Sequence, residues 1–121
     1  MQPVNFSFAV AAAGTNFDLP IHEDGEFSYM TLKTPNFTNA VTSTLHILDK
    51  DGDVIWDMTV NSLNNGAAIA AQAETLLVNY QLQFPVPVHR GYTLREVLSG
   101  VAGGSGGTVK AVLYIKNVSS A

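Results

Sequence analysis

Apolar and polar residues alternate with a period of two in several stretches of the chain, and turn-forming residues separate these stretches. The clearest case is 41–60, where two alternating segments flank the turn 49–53, Asp-Lys-Asp-Gly-Asp. Because successive side chains point to opposite faces of a strand, this pattern predicts a β-hairpin with one buried face. The residues expected on that face are Val41, Ser43, Leu45, Ile47, Val54, Trp56, Met58 and Val60.

The same alternation predicts further strands on both sides of the hairpin, six to eight in total, with no long helix. Residues 17–20 are interpreted as a connection into an acidic loop, and the glycine-rich segment 100–107 as a flexible connection. Pro85 and Pro87 are expected to end a strand, because proline cannot donate a hydrogen bond to a neighbouring strand. The remaining strands are expected at 4–12, with Phe6, Phe8 and Val10 on one face, at 27–34, 76–84 and 91–98, and at 109–115, with Val109, Ala111, Leu113 and Ile115 on one face.

The alanine-rich segment 67–75 permits either one short helix or an extended stretch. In either case, short strands separated by turns favour an all-β fold, an antiparallel and jelly-roll-like β-sandwich, over a sheet with helical crossovers. At 121 residues the chain is expected to form a single domain, 1–121.

The first strand contains no charged residue, although exposed sheet edges usually carry charges or bulges that prevent pairing. Residues 1–13 are therefore interpreted as an inter-subunit arm or an edge strand that pairs with a neighbouring subunit. On this hypothesis, deletion of residues 1–12 abolishes assembly and leaves the rest of the sandwich folded.

The composition disfavours several classes of function. The six basic residues are scattered and the net charge is −4, so no cluster of positive charge is available for nucleic acid. The absence of cysteine excludes disulfides, thiolate catalysis and cysteine zinc sites. No segment has the ~20 apolar residues that span a bilayer, and no signal peptide is recognisable. The chain is therefore expected to be soluble and synthesised in the cytoplasm.

Four groups of residues offer candidate site chemistry, and each has a simpler structural interpretation. Asp49, Asp51 and Asp53 depart from the calcium-loop spacing and match a hairpin turn. Glu23, Asp24 and Glu26 lack the apolar surroundings that raise a carboxyl pKa. His22, His46 and His89 have no metal-ligand spacing, and the glycine run 103–107 precedes a strand rather than a helix. We expect no enzyme activity, no metal and no cofactor.

The aromatic residues raise an alternative. Trp56 belongs to the inward set of the hairpin, whereas Tyr29 and Tyr114 are better candidates for an exposed patch on which a sugar could stack. His46 falls on the polar face of its strand, which indicates a solvated or interface position. With the uncharged first strand, these positions give the predicted subunit or capsid interface. Its residues are Asn5, Phe6, Phe8, Tyr29, His46 and Tyr114.

The order of the segments over residues 26–117 resembles a known family. An alternating strand leads into 48–56 (Leu-Asp-Lys-Asp-Gly-Asp-Val-Ile-Trp), followed by the alanine-rich stretch and 85–94 (Pro-Val-Pro-Val-His-Arg-Gly-Tyr-Thr-Leu). A Gly/Ser loop and the strand 109–116 (Val-Lys-Ala-Val-Leu-Tyr-Ile-Lys) complete the order. In strand order and turn types, this resembles the small β-sandwich accessory proteins of tailed-phage virions, in particular head decoration (cement) proteins.

The resemblance implies a non-enzymatic virion structural protein on the surface of a bacteriophage capsid. Such a protein binds at symmetry positions on the shell, often as a homotrimer, and bridges neighbouring major capsid protein subunits. The expected partners are the major capsid protein and further copies of the chain, with no nucleic acid, membrane or cofactor. Two alternatives remain open. The first is a carbohydrate-binding or receptor-binding β-sandwich module, for example in a tail fibre, and the second is a small adhesion domain of the secreted type.

Overall fold

The computed structural model of the chain describes residues 2–35, 37–58, 69–71 and 76–117, with no side chains described at 69–71, 76–81 and 83.

These residues form nine β-strands and no helix, which confirms the prediction of an all-β chain. No helix in the described part of the chain is therefore available to cross a membrane. The strands are β1 (Gln2–Val10), β2 (Asn16–Pro20), β3 (Gly25–Thr34), β4 (Val41–Leu48), β5 (Val54–Asp57), β6 (Ile69–Ala71), β7 (Leu76–Val88), β8 (Thr93–Leu98) and β9 (Gly107–Lys116).

The strands form two antiparallel sheets that enclose the core. The order of the first sheet is β1-β9-β3-β7, and that of the second is β2-β8-β4-β5, with β6 beside the other end of β4. The first strand thus pairs with the last, β2 with β8, β3 with β7, and β4 with β5 and β6. This nested pairing is the arrangement of a jelly roll, and it confirms the predicted antiparallel, jelly-roll-like sandwich.

The core follows the predicted alternation closely in three strands. The rings of Phe27 and Trp56 meet from opposite sheets, with 5.3 Å between their centroids and an interplanar angle of 88°, a favoured edge-to-face arrangement. The expected inward positions of β1, β4 and β9 are all buried: Phe6, Phe8, Val10, Val41, Ser43, Leu45, Ile47, Val109, Ala111, Leu113 and Ile115.

The hairpin of β4 and β5 differs from the prediction at one position. Val54, expected on the buried face, is 51% exposed, whereas Trp56 and Met58 are buried as expected. The reason is a shift in register, since Ile47 pairs with Trp56 but Leu48 pairs with Val54. Such a bulge places one extra residue on one strand, and each side chain beyond it changes face. Val60 lies outside the described residues.

Three further expectations about the strands are wrong. Residues 17–20 belong to β2, where Phe17 and Leu19 turn towards the core. Pro85 and Pro87 lie inside β7 rather than at its end. This is possible because β7 is the edge strand of its sheet. A proline on an edge strand can direct its nitrogen, which lacks a hydrogen, away from the neighbouring strand, so no hydrogen bond between strands is lost. With β2 and β6, the described residues contain nine strands instead of six to eight.

The alanine-rich segment is extended in its described part. Residues 69–71 form β6, which pairs with the start of β4. The other residues of the segment 67–75 lie outside the described residues, so the helical alternative is excluded only for these three positions.

Candidate functional site

The sheet edges differ in how they are protected against pairing with another chain. The edge strand β7 contains two prolines and a register shift, and β2 has only five residues, including Asp18 and Pro20. The strands β5 and β6 have only four and three residues. By contrast, β1 has nine residues, pairs with β9 without a register shift and contains no charge. Its one proline, Pro3, lies next to its beginning. Among the described edges, β1 is the longest regular one without a protecting device.

The predicted interface residues of β1 point in two directions. Asn5 is exposed on the outer face of the first sheet. Phe6 and Phe8 are 5% and 1% exposed, and they belong to the core between the sheets. Their rings therefore contribute mainly to the core, although Phe6 also lines a cleft at the edge of the sheet. Their predicted place in an interface stays a prediction. Pairing of another chain with the backbone edge of β1 stays a prediction.

Tyr29 and Tyr114 lie opposite each other on the outer face of the first sheet. They are a register pair of β3 and β9, and their half-buried rings are 5.2 Å apart at an angle of 52°. Pro3 opposes Tyr114 on the other side, and the next row places Val112 between Asn5 and Thr31. We call this surface the tyrosine face and define it by Pro3, Asn5, Tyr29, Thr31, Val112 and Tyr114.

His46 lies on the opposite side of the sandwich, in a row of four ionisable residues across the second sheet. The register places Asp18 beside Arg95, Arg95 beside His46 and His46 beside Asp57. Arg95 donates two hydrogen bonds to the Asp18 carboxylate, at 2.7 and 3.0 Å, and these raise the pKa of the guanidinium. His46 Nε2 is 3.1 Å from Asp57 Oδ2. His46 is therefore a half-buried residue in contact with Asp57.

The sequence does not indicate this row, because its members come from four strands, of which only β4 and β5 are close together along the chain. Only the register brings them together. The one signal in the sequence is that each of these residues takes an outward position in its strand. Because Arg95 pairs with Asp18 and His46 contacts Asp57, the row is best understood as a structural element of the outer surface.

A second feature that the sequence did not indicate is a carboxyl group in the core. Glu96 faces inward on β8 and is 0% exposed. The Ser43 hydroxyl donates a hydrogen bond to Glu96 Oε1, and Oε2 has no partner among the described residues. Burial raises the pKa of Glu96 to about 8, and the hydrogen bond from Ser43 offsets this effect only in part. The carboxyl group is therefore largely protonated at neutral pH.

The acidic turn of the hairpin is organised by its own backbone. Asp49 Oδ1 accepts hydrogen bonds from the backbone N–H groups of Asp51 and Asp53, at 2.9 and 3.0 Å. Gly52 adopts a φ of +84°, which favours glycine. Carboxylate oxygens of the three aspartates lie within 4.8 Å of one another. The geometry agrees with the predicted turn, and a cluster of exposed carboxylates alone does not define a metal site.

The acidic group around Asp24 and the glycine run also have structural roles. Asp24 Oδ1 accepts the backbone N–H of Arg90 at 3.0 Å and lies 3.5 Å from His89 Nδ1. The hydrogen bond from Arg90 is the main reason why the pKa of Asp24 lies below its ordinary value. In the glycine run, the Gly106 N–H donates to the Gly103 carbonyl at 3.0 Å, and β9 follows directly. The run therefore precedes a strand, as predicted.

Comparisons with known proteins give only distant similarities. The chain matches no protein-family model and no curated protein sequence. Among solved structures, it is similar to a CocE/NonD family hydrolase from Staphylococcus aureus, with 12% identity and a TM-score of 0.43, over 95% of this chain and 33% of the hydrolase. A family 35 carbohydrate binding module from Clostridium thermocellum is 10% identical with a TM-score of 0.45, over 92% of this chain and 98% of the module.

A chain of the T13 viral particle of IBDV is 15% identical with a TM-score of 0.41, over 93% of this chain and 31% of the viral one. The chain thus spans about a third of the hydrolase and of the viral chain. Similarities this distant carry no argument about function, which must be inferred from the surfaces described above.

Proposed function

We propose that the chain is a non-enzymatic structural module of a virion, specifically a head decoration protein that binds the major capsid protein and stabilises the shell. The observation that supports this proposal is the unprotected edge of β1. A nine-residue strand that lies at the edge of its sheet in the described part of the chain and carries no charge is a template for pairing with another chain. Proteins that stay monomeric normally block such an edge, so its retention here favours permanent assembly.

A capsid offers the conditions under which such an edge becomes useful. Each contact needs only an interface of ordinary size, about 1,600 Å². Repetition of the contact around a symmetric shell then adds many contacts, each of which opposes separation of the capsid subunits. The low charge of the chain, 13% of its residues, favours burial of its surface against a partner.

The proposal is tested by sedimentation of the purified chain with empty shells of the major capsid protein from the same source. We expect saturable binding at a fixed ratio of chains to capsid subunits and a higher melting temperature of the shell. Bovine serum albumin, mixed with the shells in the same way, controls for trapping in the pellet. Failure of the chain to sediment with the shells would exclude the decoration function.

The tyrosine face supports a second candidate function, binding of a neutral glycan. Aromatic rings that are accessible from one side stack on the apolar faces of sugar rings, and nearby hydroxyl and amide groups bind the sugar hydroxyls. Tyr29 and Tyr114 are adjacent and half-buried, with Asn5 and Thr31 in the next row.

If this second function is correct, Tyr29→Ala and Tyr114→Ala will each weaken glycan binding about tenfold or more, because each removes about 1–3 kcal/mol of stacking and burial. The measurement is isothermal titration with the strongest binder from a glycan array. Tyr92→Ala is the matched control, since Tyr92 is half-buried but contacts the ring of His89 rather than the tyrosine face. An array without any bound glycan would eliminate this candidate.

A further inference from the structure

The sandwich is open along the seam between β1 and β2. These strands form the corresponding edges of the two sheets and lie close together. A cleft of about 430 Å³ follows the seam. Its walls are formed by residues 4–7 of β1, by Leu19 and Pro20 of β2, and by His22 and Glu23 in the loop after β2.

The core is incompletely covered at this seam. Four half-buried hydrophobic side chains pack against the buried core in the described residues, and three of them lie on β1 or β2. These three are Val4, Phe17 and Leu19. Two of the three, Val4 and Leu19, line the cleft, one on each of its two strands. An apolar group placed in the cleft would cover both of them and remove their remaining apolar surface from water.

An added β-strand would both pair with the edge of β1 and cover the apolar side chains at the seam. Its backbone would pair with the free edge of β1, and every second side chain would point into the cleft. The cleft follows β1 from Val4 to Ser7, which corresponds to a segment of about four residues at ~3.3 Å per residue. Residues 1–17 contain no charged side chain, so the partner surface along β1 must also be uncharged where it becomes buried.

A second copy of this chain would not fill the cleft. The inward side chains of its own β1, Phe6, Phe8 and Val10, are already buried in its own core. If two copies paired through β1, neither could place these side chains in the cleft of the other. A separate extended segment has free side chains and therefore fits the seam better.

We infer that the seam between β1 and β2 accepts an extended segment of a partner protein as an additional strand of the first sheet. The segment is uncharged over about four residues and has apolar side chains at alternate positions. This inference rests on the proposed function, under which the segment belongs to the major capsid protein.

The test uses overlapping synthetic peptides that cover the major capsid protein, each titrated into the chain by fluorescence anisotropy. We expect a peptide with the alternating uncharged pattern to bind and to slow amide hydrogen exchange about tenfold or more at every second residue of β1, where the N–H points away from β9. Leu19→Lys should weaken this binding about tenfold or more, because the added strand would bury the ammonium group. Val4→Lys changes the wall of the cleft that β1 forms, and it should also weaken peptide binding about tenfold or more.

Val97→Lys is the matched control, because Val97 is also a half-buried aliphatic residue but lies on β8 away from the cleft. It should leave peptide binding unchanged, and thermal unfolding of all three variants identifies any loss of fold. If the chain binds intact shells but no peptide protects β1, the seam inference is wrong and the proposed function stands. If a peptide protects β1 but the chain does not bind shells, the seam inference stands and the proposed function is wrong. If the chain binds neither a peptide nor shells, both are wrong.

Discussion

Deletion of residues 1–12 is expected to unfold the chain. This deletion removes all of β1, together with the buried side chains Phe6, Phe8 and Val10. Truncation of a buried phenylalanine to alanine alone costs about 3–5 kcal/mol. Loss of three core residues and of an entire edge strand therefore costs about as much free energy as the total stability of a small domain, which is about 5–15 kcal/mol. Circular dichroism and amide NMR spectra of the truncated chain should show loss of the folded state.

The double variant Asn5→Ala and Ser7→Ala is the control for this prediction. Both residues are exposed on β1, so their replacement keeps the strand and its core side chains. Its free energy of unfolding should stay within about 1 kcal/mol of the original value. A truncated chain that keeps the dispersed NMR spectrum of a folded protein would show that β1 is a detachable arm, as the sequence first suggested.

Replacement of Glu96 by glutamine is expected to abolish a strong dependence of stability on pH. The pKa of Glu96 is about 8 in the folded chain and near 4.5 in the unfolded chain. Between these values the folded state binds more protons than the unfolded state, so the free energy of unfolding falls as pH rises. Each pH unit in this window costs about 1.4 kcal/mol, or about 4 kcal/mol between about pH 5 and about pH 8.

The measurement is urea unfolding of both proteins at these two pH values. The two proteins should have similar stability at the lower pH, where Glu96 is neutral, and Glu96→Gln should be more stable at the higher pH. All other ionisable groups are shared, so the difference between the proteins isolates Glu96. An equal dependence on pH in both proteins would show that Glu96 is not buried in the folded state.

The sequence was sufficient for the fold class because the sandwich depends on local alternation. The inward residues of β1, β4 and β9 could be assigned from their period of two. Bulges could not be assigned in this way, since they depend on pairing with a distant strand. This explains why Val54 was placed on the wrong face of β5. It also explains the prolines of β7, whose position at an edge is a property of the whole sheet.

The surfaces were less predictable than the strands. Tyr29 and Tyr114 were identified as exposed aromatic residues, but their adjacency follows from the register of β3 and β9. Glu96 has an inward position between Leu94 and Leu98 in the alternation of β8. It was not assigned to the core because a charged residue is rarely buried without a partner. The cleft between β1 and β2 requires both sheets, and no sequence pattern describes it.

Hydrogen exchange of the chain, free and bound to shells of the major capsid protein, tests the attachment through β1 most directly. Mass spectrometry of peptides from the exchanged protein reports protection for each strand. Attachment through β1 predicts strong additional protection of residues 2–10 in the bound state and little change in β7, the opposite edge of the same sheet. Unchanged exchange in β1 on a shell-bound chain would contradict it and assign the attachment to another surface.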